Sequence, residues 1–534
     1  MDPNAITLSP IFQAYLASLT QSEEPEAPLE GERFEVSQTV SFFGFIYEKL
    51  RNAVEFNEEH LVRRLTITRI LRRRFSINPQ GKGESENLIR ELLWGRYLAH
   101  RSITLQKVKE VQHIIDSYVY FLHLLGRKKI QGYSSSQLGN LILEFLSCEI
   151  EESLNQKLSY TKTLQLHFFY QSLRNKISIK NVSEDNKDLF FYVAAEEAFI
   201  RNDKAFITYH IFTLHFGPLS HLSKTQIETV TENFAEHIVV MKKALKNPYR
   251  NNLTKFAKKQ AAPFRILFSI IDEAENSNDI VTNKELLQKN VEETCMKKSQ
   301  ETSIKIRNAA VRSVIYIFLT KMVFVLLLEI PASKYIYHQL HLIPLAINTI
   351  FPPVLMGLIV TLVNPASKGN AVRIYSRIID ILSRDPEAPS HKTVISHKGT
   401  LQQSSRFFIF TIIYIVVFGI IFSGLYAGLE LLGFNIINKT VFIFFVSVIA
   451  FFGYRIRQTA KEYVLESESN ILMSFVTFLF LPILYIGKWL SSQISKINLY
   501  IVFFDYLIEA PFKLLIEVAE EWIKFVKARK DELI

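Results

Sequence analysis

Cysteine is nearly absent. The 534 residues contain two, Cys148 and Cys295, far apart in the chain. Two isolated thiols cannot build a disulfide framework, a CxxC pair or a zinc knuckle. Glycine (18) and proline (17) are also scarce; folds made of many short strands spend both on turns, so their scarcity predicts an all-α chain of long helices. Also missing are HExxH, GxxxxGK[ST], GxSxG and a GxGxxG after a strand, the spacings that hold a catalytic metal, a nucleotide, a nucleophilic serine or a dinucleotide. QGKGES at 80–85 reads as a flexible loop without the spacing of a phosphate cradle. The start, MDPNAITLSPIFQAYLASL, has no basic n-region and no cleavage site, so a secretory signal is not expected and targeting falls to an internal apolar segment. The final KDELI resembles a retrieval signal spoiled by Ile534, because such signals are read at the free carboxyl end.

What is present is unevenly placed. Hydrophobic residues make up 48% of the chain and charged residues 21%, and the most apolar of the long charge-free runs lie after residue 300. A helix needs about 20 apolar residues to cross a bilayer core. Spans are predicted near 309–330, 342–363, 407–432, 440–454 and 471–487. The fourth is short enough to be re-entrant, and Lys321 in the first needs a partner or a snorkelling stem. Residues 498–516 are apolar but carry Asp505, Glu509 and Lys513 on one helical stripe, which suits an interfacial helix or a sixth span facing a bundle. The formal charge is +10, of which about +7 belongs to the part after residue 300, concentrated in alternate loops. Positive-inside bookkeeping places the N-terminal part, the 364–406 loop and the basic tail in the cytoplasm, with four to six passes.

These patterns divide the chain into an N-terminal segment with an acidic linker (1–36), a cytoplasmic all-α domain (37–300), a polytopic membrane domain (301–490) and a terminal amphipathic or sixth membrane helix with a basic tail (491–534). The cytoplasmic domain reads as a helical bundle of roughly eight to ten helices. Phe43, Ile46, Tyr47, Leu50 and Val54 share one face, as do Val108, Val111, Ile115, Tyr118, Leu122 and Leu125, and again Ile227, Val230, Phe234, His237 and Met241. No strand alternation is evident.

The densest charge is LVRRLTITRILRRRF at 61–75, with Arg63, Arg64, Arg69, Arg72, Arg73 and Arg74. Guanidinium forks bind phosphate well, so anionic lipid headgroups are candidate contacts, beside solvated or acid-paired alternatives. Nucleic acid is disfavoured because the arginines spread around the helix and the domain is nearly neutral. Neighbouring acids, Glu151 with Glu152, Glu196 with Glu197 and Glu292 with Glu293, point about 100° apart on a helix and read as solvated faces. His210, His215 and His221 lack ligand-like spacing, and His338 with His341 is at most half a metal site. No catalytic, cofactor-binding or metal-ligating set is therefore nominated, and no cofactor is expected. Within the spans, Lys321, Asn348, Pro352 and Pro353 are the candidate functional positions, together with Asp505, Glu509 and Lys513 beyond them.

The expected function is that of a non-enzymatic integral membrane protein, a membrane-anchored scaffold or assembly factor. Its partners would be the lipid bilayer and proteins met through residues 37–300, and its setting a bacterial inner membrane. The alternatives are a transporter or channel using the Pro-kinked second span and, more weakly, an intramembrane or lipid-modifying enzyme.

Overall fold

The computed structural model describes residues 4–22, 32–34, 58–128, 132–336, 342–361, 368–385, 392–396, 405–465 and 480–490, with isolated positions at 36, 45, 48, 130, 338, 478, 518, 521, 522, 525, 526 and 529. Among the described residues the chain is all-α apart from one small ladder. It divides into two compact units, the first comprising Ser9–Lys258, Asp385–Ser396 and Ile501–Ile534, the second Met1–Leu8, Lys259–Arg384 and His397–Tyr500.

The first unit contains α1 (Pro10–Ser22), α2 (Glu59–Ile77), α3 (Glu84–Trp94), α4 (Leu105–Gly126), α5 (Ser135–Leu154), α6 (Gln156–Arg174), α7 (Glu184–Ala195), α8 (Lys204–Phe216) and α9 (Lys224–Leu245). Helix starts follow local chemistry. Ser134 with Gln137 and Ser223 with Gln226 form capping boxes, satisfying two orphan backbone donors at each start. The Asp203 carboxylate accepts from the Phe206 amide at 3.1 Å to cap α8. The bundle seam is made as the spacing predicts: Val108, Val111, Ile115, Tyr118 and Leu125 are buried, with Phe234, His237 and Met241 from α9. Leu122, at 38% exposure, falls off that seam. Residues Phe43, Ile46, Tyr47, Leu50 and Val54 lie outside the described residues. The absence of strands is corrected by β1 (Ile177–Ile179), which pairs in parallel with β2 (Thr393–Ile395). Three residues per strand are too few for alternation to register in the sequence.

Helix α10 (Arg250–Glu273) runs across the boundary between the units at Lys258 and Lys259. The second unit continues with α11 (Ser277–Thr282), α12 (Lys284–Phe324), a π-helical turn (Val325–Glu329), α13 (Ile330–Tyr335), α14 (Leu342–Thr361), α15 (Lys368–Ser383), α16 (Ser405–Leu431) and α17 (Ile436–Ala460). The boundary expected at 300 falls inside α12, a 41-residue helix that is about 60 Å long at the α-helical rise. Composition changes from polar to apolar along this one rod, but the backbone does not break there. Among the described residues three stretches are long and apolar enough to cross a membrane by length and composition, Lys284–Tyr335, Thr411–Leu431 and Ile436–Ile456; Ile343–Ile359 and Phe480–Leu490 are shorter apolar helices. α17 is longer than the fifteen-residue run seen between charges, because Lys439 and Arg455 are accommodated within the helix. Ile317, Met356, Val441, Phe445 and Ile449 make a shared core of α12, α14 and α17.

Candidate functional sites

The arginine segment becomes α2, the centre of the first unit, and its charges are largely met from within. Arg63 binds Glu151 (2.9 Å) and Glu59, Arg64 binds Asp203 (2.5 Å), Arg69 binds Glu48 (2.8 Å), and Arg73 and Arg74 share Glu91. Arg63, Arg64 and Arg69 are buried, whereas Arg72 is exposed. Charges spread round the whole helix because neighbours with carboxylates surround it. An anionic headgroup reaching Arg63, Arg64 or Arg69 would first have to displace the carboxylate already paired with it, which for Arg63 and Arg69 is itself buried.

Beside α2 lies a polar network that begins at a second π-helical turn, Glu196–Ile200. Such turns shift helical register locally and recur at functional sites. The turn ends at Arg201, whose φ of 67° is left-handed, and the chain then folds Asn202 back onto it: the Asn202 side-chain amide donates to the Glu196 carboxylate at 2.6 Å. His210 lies between two carboxylates, Nδ1 to Glu196 at 2.5 Å and Nε2 to Glu152 at 2.7 Å. Both ring nitrogens then donate, which is the imidazolium form. Burial opposes that charge, but Glu196 and Glu152 outweigh it and hold His210 well above the ordinary histidine value.

The network continues outward. Asn202 Oδ1 accepts from His60 Nε2 at 3.0 Å, so His60 Nδ1 is left as the acceptor for Lys162 Nζ at 3.2 Å. Burial and the nearby Lys162 charge push His60 down to about 4. Burial raises Glu151 to about 7 in spite of Arg63, and burial also lowers Lys162. His60, Glu151, Glu152, Lys162, Asn202 and His210 all line one pocket, with Leu158, Leu166, Ile200 and Phe206 supplying apolar wall. Its empty space is about 440 Å³, part of it open to solvent.

The acid pairs therefore need correction. Glu151 (3% exposed) and Glu196 (0%) are interior, not solvated. Two adjacent acids do diverge, as expected, but one from each pair, Glu152 and Glu196, converges on His210 from different elements. Spacing along the sequence could not find this set, whose members lie on α2, α5, α6, α8 and the π turn. The available signal was the count of charges in segments otherwise apolar enough to be core. Glu292 and Glu293 lie on α12, and both are exposed.

The second unit holds a polar cluster among apolar helices. Lys321 Nζ sits 2.5 Å from Glu329 Oε1, both side chains fully buried. The π turn explains the partnership: it spends an extra residue, so two turns take about eight residues instead of about seven, and positions 321 and 329 share a face. The Asn348 amide donates to Glu329 Oε2 (2.8 Å) and to the Asn438 backbone carbonyl (3.3 Å). Lys321 also lies over the Phe445 ring at 4.8 Å. Pro352 and Pro353 sit inside a continuous α14; having no N–H, Pro352 cannot pair with the Asn348 carbonyl four residues earlier. The structure thus brings Lys321 and Asn348 together and ties Pro352 to them, adding Glu329. Asp505, Glu509 and Lys513 lie outside the described residues, as does His341.

Cys148 and Cys295 are free and buried. Among the described residues no group of three or more His, Cys, Asp or Glu side chains is arranged to hold a metal ion. Compared with protein-family models, with curated proteins and with solved structures, the chain matches none.

Proposed function

We propose that the chain is an integral membrane protein whose first unit serves as a membrane-anchored scaffold or assembly factor, offering a helical surface to protein partners without chemical turnover. The observation that carries this reading is Thr411–Leu431: only 6% of its most apolar stretch is buried, and Ile409, Ile412, Ile415, Val416 and Ile420 all stand exposed. A continuous apolar surface of that size is stable only against an apolar phase. The internal pairing of α2 supports a self-contained platform, since it neutralises buried charge without an outside partner. The alternation of basic and nearly uncharged loops favours a cytoplasmic side for that platform, and a bacterial inner membrane is the setting we propose for it.

The test is fractionation of the full chain, with reporters fused at both ends. Retention in the membrane after alkaline extraction, with both reporters cytoplasmic, is the expected result. Release into the soluble fraction would sink the reading. A transporter or channel is the second reading, favoured by the convergence of Lys321, Glu329 and Asn348 beside Pro352 and Pro353. Ion or solute flux through liposomes holding the full chain, lost in Lys321→Met, would move the conclusion to it.

A further inference from the structure

We propose that Lys162 is the nucleophilic amine of a ligand pocket that captures a small carbonyl compound, an aldehyde or ketone, as a reversible imine. The inference concerns the first unit alone and does not depend on where that unit sits. Its geometry is specific. Among the described residues, the one hydrogen bond of Lys162 is to His60 Nδ1, and no carboxylate there reaches it as an ion pair. Most other interior cations of this unit are met by carboxylates, as Arg63, Arg64, Arg69 and His210 are. A lysine half-buried against a neutral imidazole, and lowered by that burial, holds more of its amine free than a solvated one does.

The surrounding groups suit the two stages of the step. The Lys162 ammonium first passes a proton by way of His60 Nδ1 to solvent; His60 is held in the accepting tautomer by Asn202, which Glu196 and His210 fix in turn. The amine lone pair then attacks the carbonyl carbon, a C–N bond forms as the C=O π pair moves onto oxygen, and one proton passes from the nitrogen by way of His60 to that oxygen, giving a neutral carbinolamine. In the second stage the nitrogen lone pair expels hydroxide, which leaves as water with the Glu151 proton, and the remaining N–H proton goes to solvent through His60. One amine and one carbonyl become one imine and one water, with no change of oxidation state. Glu151 carries a proton part of the time near neutrality, as the acid of this step must. Leu158, Leu166 and Phe206 line the same space and would shield the C=N bond from water.

The experiment uses the full chain in detergent, propanal as the probe and cyanoborohydride to trap the imine, with peptide mass spectrometry as the readout. Lys157, exposed on the same helix, is the internal control. Lys162 should be alkylated faster than Lys157 in the folded protein, and the ratio should fall to near one in urea. Equal rates in the folded protein would overturn the proposal. So would a ratio that persists in urea, because preference would then come from local sequence and not from the pocket.

Discussion

Both units contain a π-helical turn, and each turn presents a fully buried glutamate to a cation, half-buried in the first unit and fully buried in the second. In the first unit the turn offers Glu196 to His210; in the second it offers Glu329 to Lys321. A side-chain amide completes each pair, Asn202 in one and Asn348 in the other. The surroundings differ. His210 has a second carboxylate, Glu152, and its network runs through Asn202 and His60 to a pocket. Lys321 has one carboxylate and an aromatic face, and among the described residues the Asn348 and Asn438 side-chain oxygens have no hydrogen-bond partner. The same backbone irregularity therefore serves a connected site in one unit and a sealed pair in the other. A π turn locates a buried charge, and the neighbours decide what that charge can do.

The sealed pair should be the more fragile. Lys321→Met alone strands the Glu329 carboxylate in an apolar interior and should cost about 3–5 kcal/mol, whereas replacing both with Lys321→Met and Glu329→Leu should cost far less. Thermal unfolding of the detergent-solubilised variants reads both. A double variant as damaged as the single would mean that the pair specifies the helix arrangement and is not simply neutralising itself.

The connected site should be moved by pH. His60 has a folded value near 4 against 6.5 for the ordinary side chain, so between those values the unfolded chain binds the extra proton. Stability from this residue is intact above about 6.5 and declines as pH falls toward 4. Glu151 acts in the opposite sense: its folded value near 7 lies above 4.5, so its contribution declines as pH rises through that interval. His60→Gln should remove the acid-side loss and leave the Glu151 limb, making denaturant stability fall more steeply from pH 5 to 7 than in the wild type. An unchanged pH profile would remove His60 from the network.

Packing separates the units less. Gly453 on α17 lies so close to α14 that an added Cβ would stand 2.5 Å from Ile359 Cγ2, and Gly453→Ala should cost about 1–3 kcal/mol through overpacking. Gly81, with φ of 65° and a prospective Cβ 2.9 Å from Ile115, makes the matching test in the first unit. Gly81→Ala adds backbone strain to the clash and should cost more.

The all-α class, the bundle seams and the long apolar helices were legible because each depends on residues a few positions apart. The faces of α4 and α9 follow from spacings of three and four. The sites were half legible. Lys321, Asn348, Pro352 and Pro353 stood out because polar residues and prolines are conspicuous in apolar segments. Glu329 as the partner of Lys321 did not, since ideal helical spacing puts positions eight apart on different faces and only the π turn realigns them. His210, Glu196, Glu152, His60 and Lys162 are separated by up to about 150 residues and carry no local pattern. The arginines of α2 were legible in part: acid pairing is among the readings of the segment, but the acids arrive from α3, α5 and the start of α8 and leave no local pattern.

That last point yields the smallest and sharpest contrast. Arg72 is exposed on α2, whereas Arg63, about two and a half turns earlier on the same helix, is buried and paired with Glu151 and Glu59. Arg72→Ala should shift stability by no more than about 0.5 kcal/mol, and Arg63→Ala should cost several kcal/mol by leaving Glu151 buried without its cation. If binding of the full chain to anionic vesicles falls in Arg72→Ala while its melting temperature holds, α2 combines an internal brace with one exposed lipid contact. If binding is unchanged, the basic character of α2 is entirely structural, and the attraction to anionic lipid must come from the basic loops that follow residue 300.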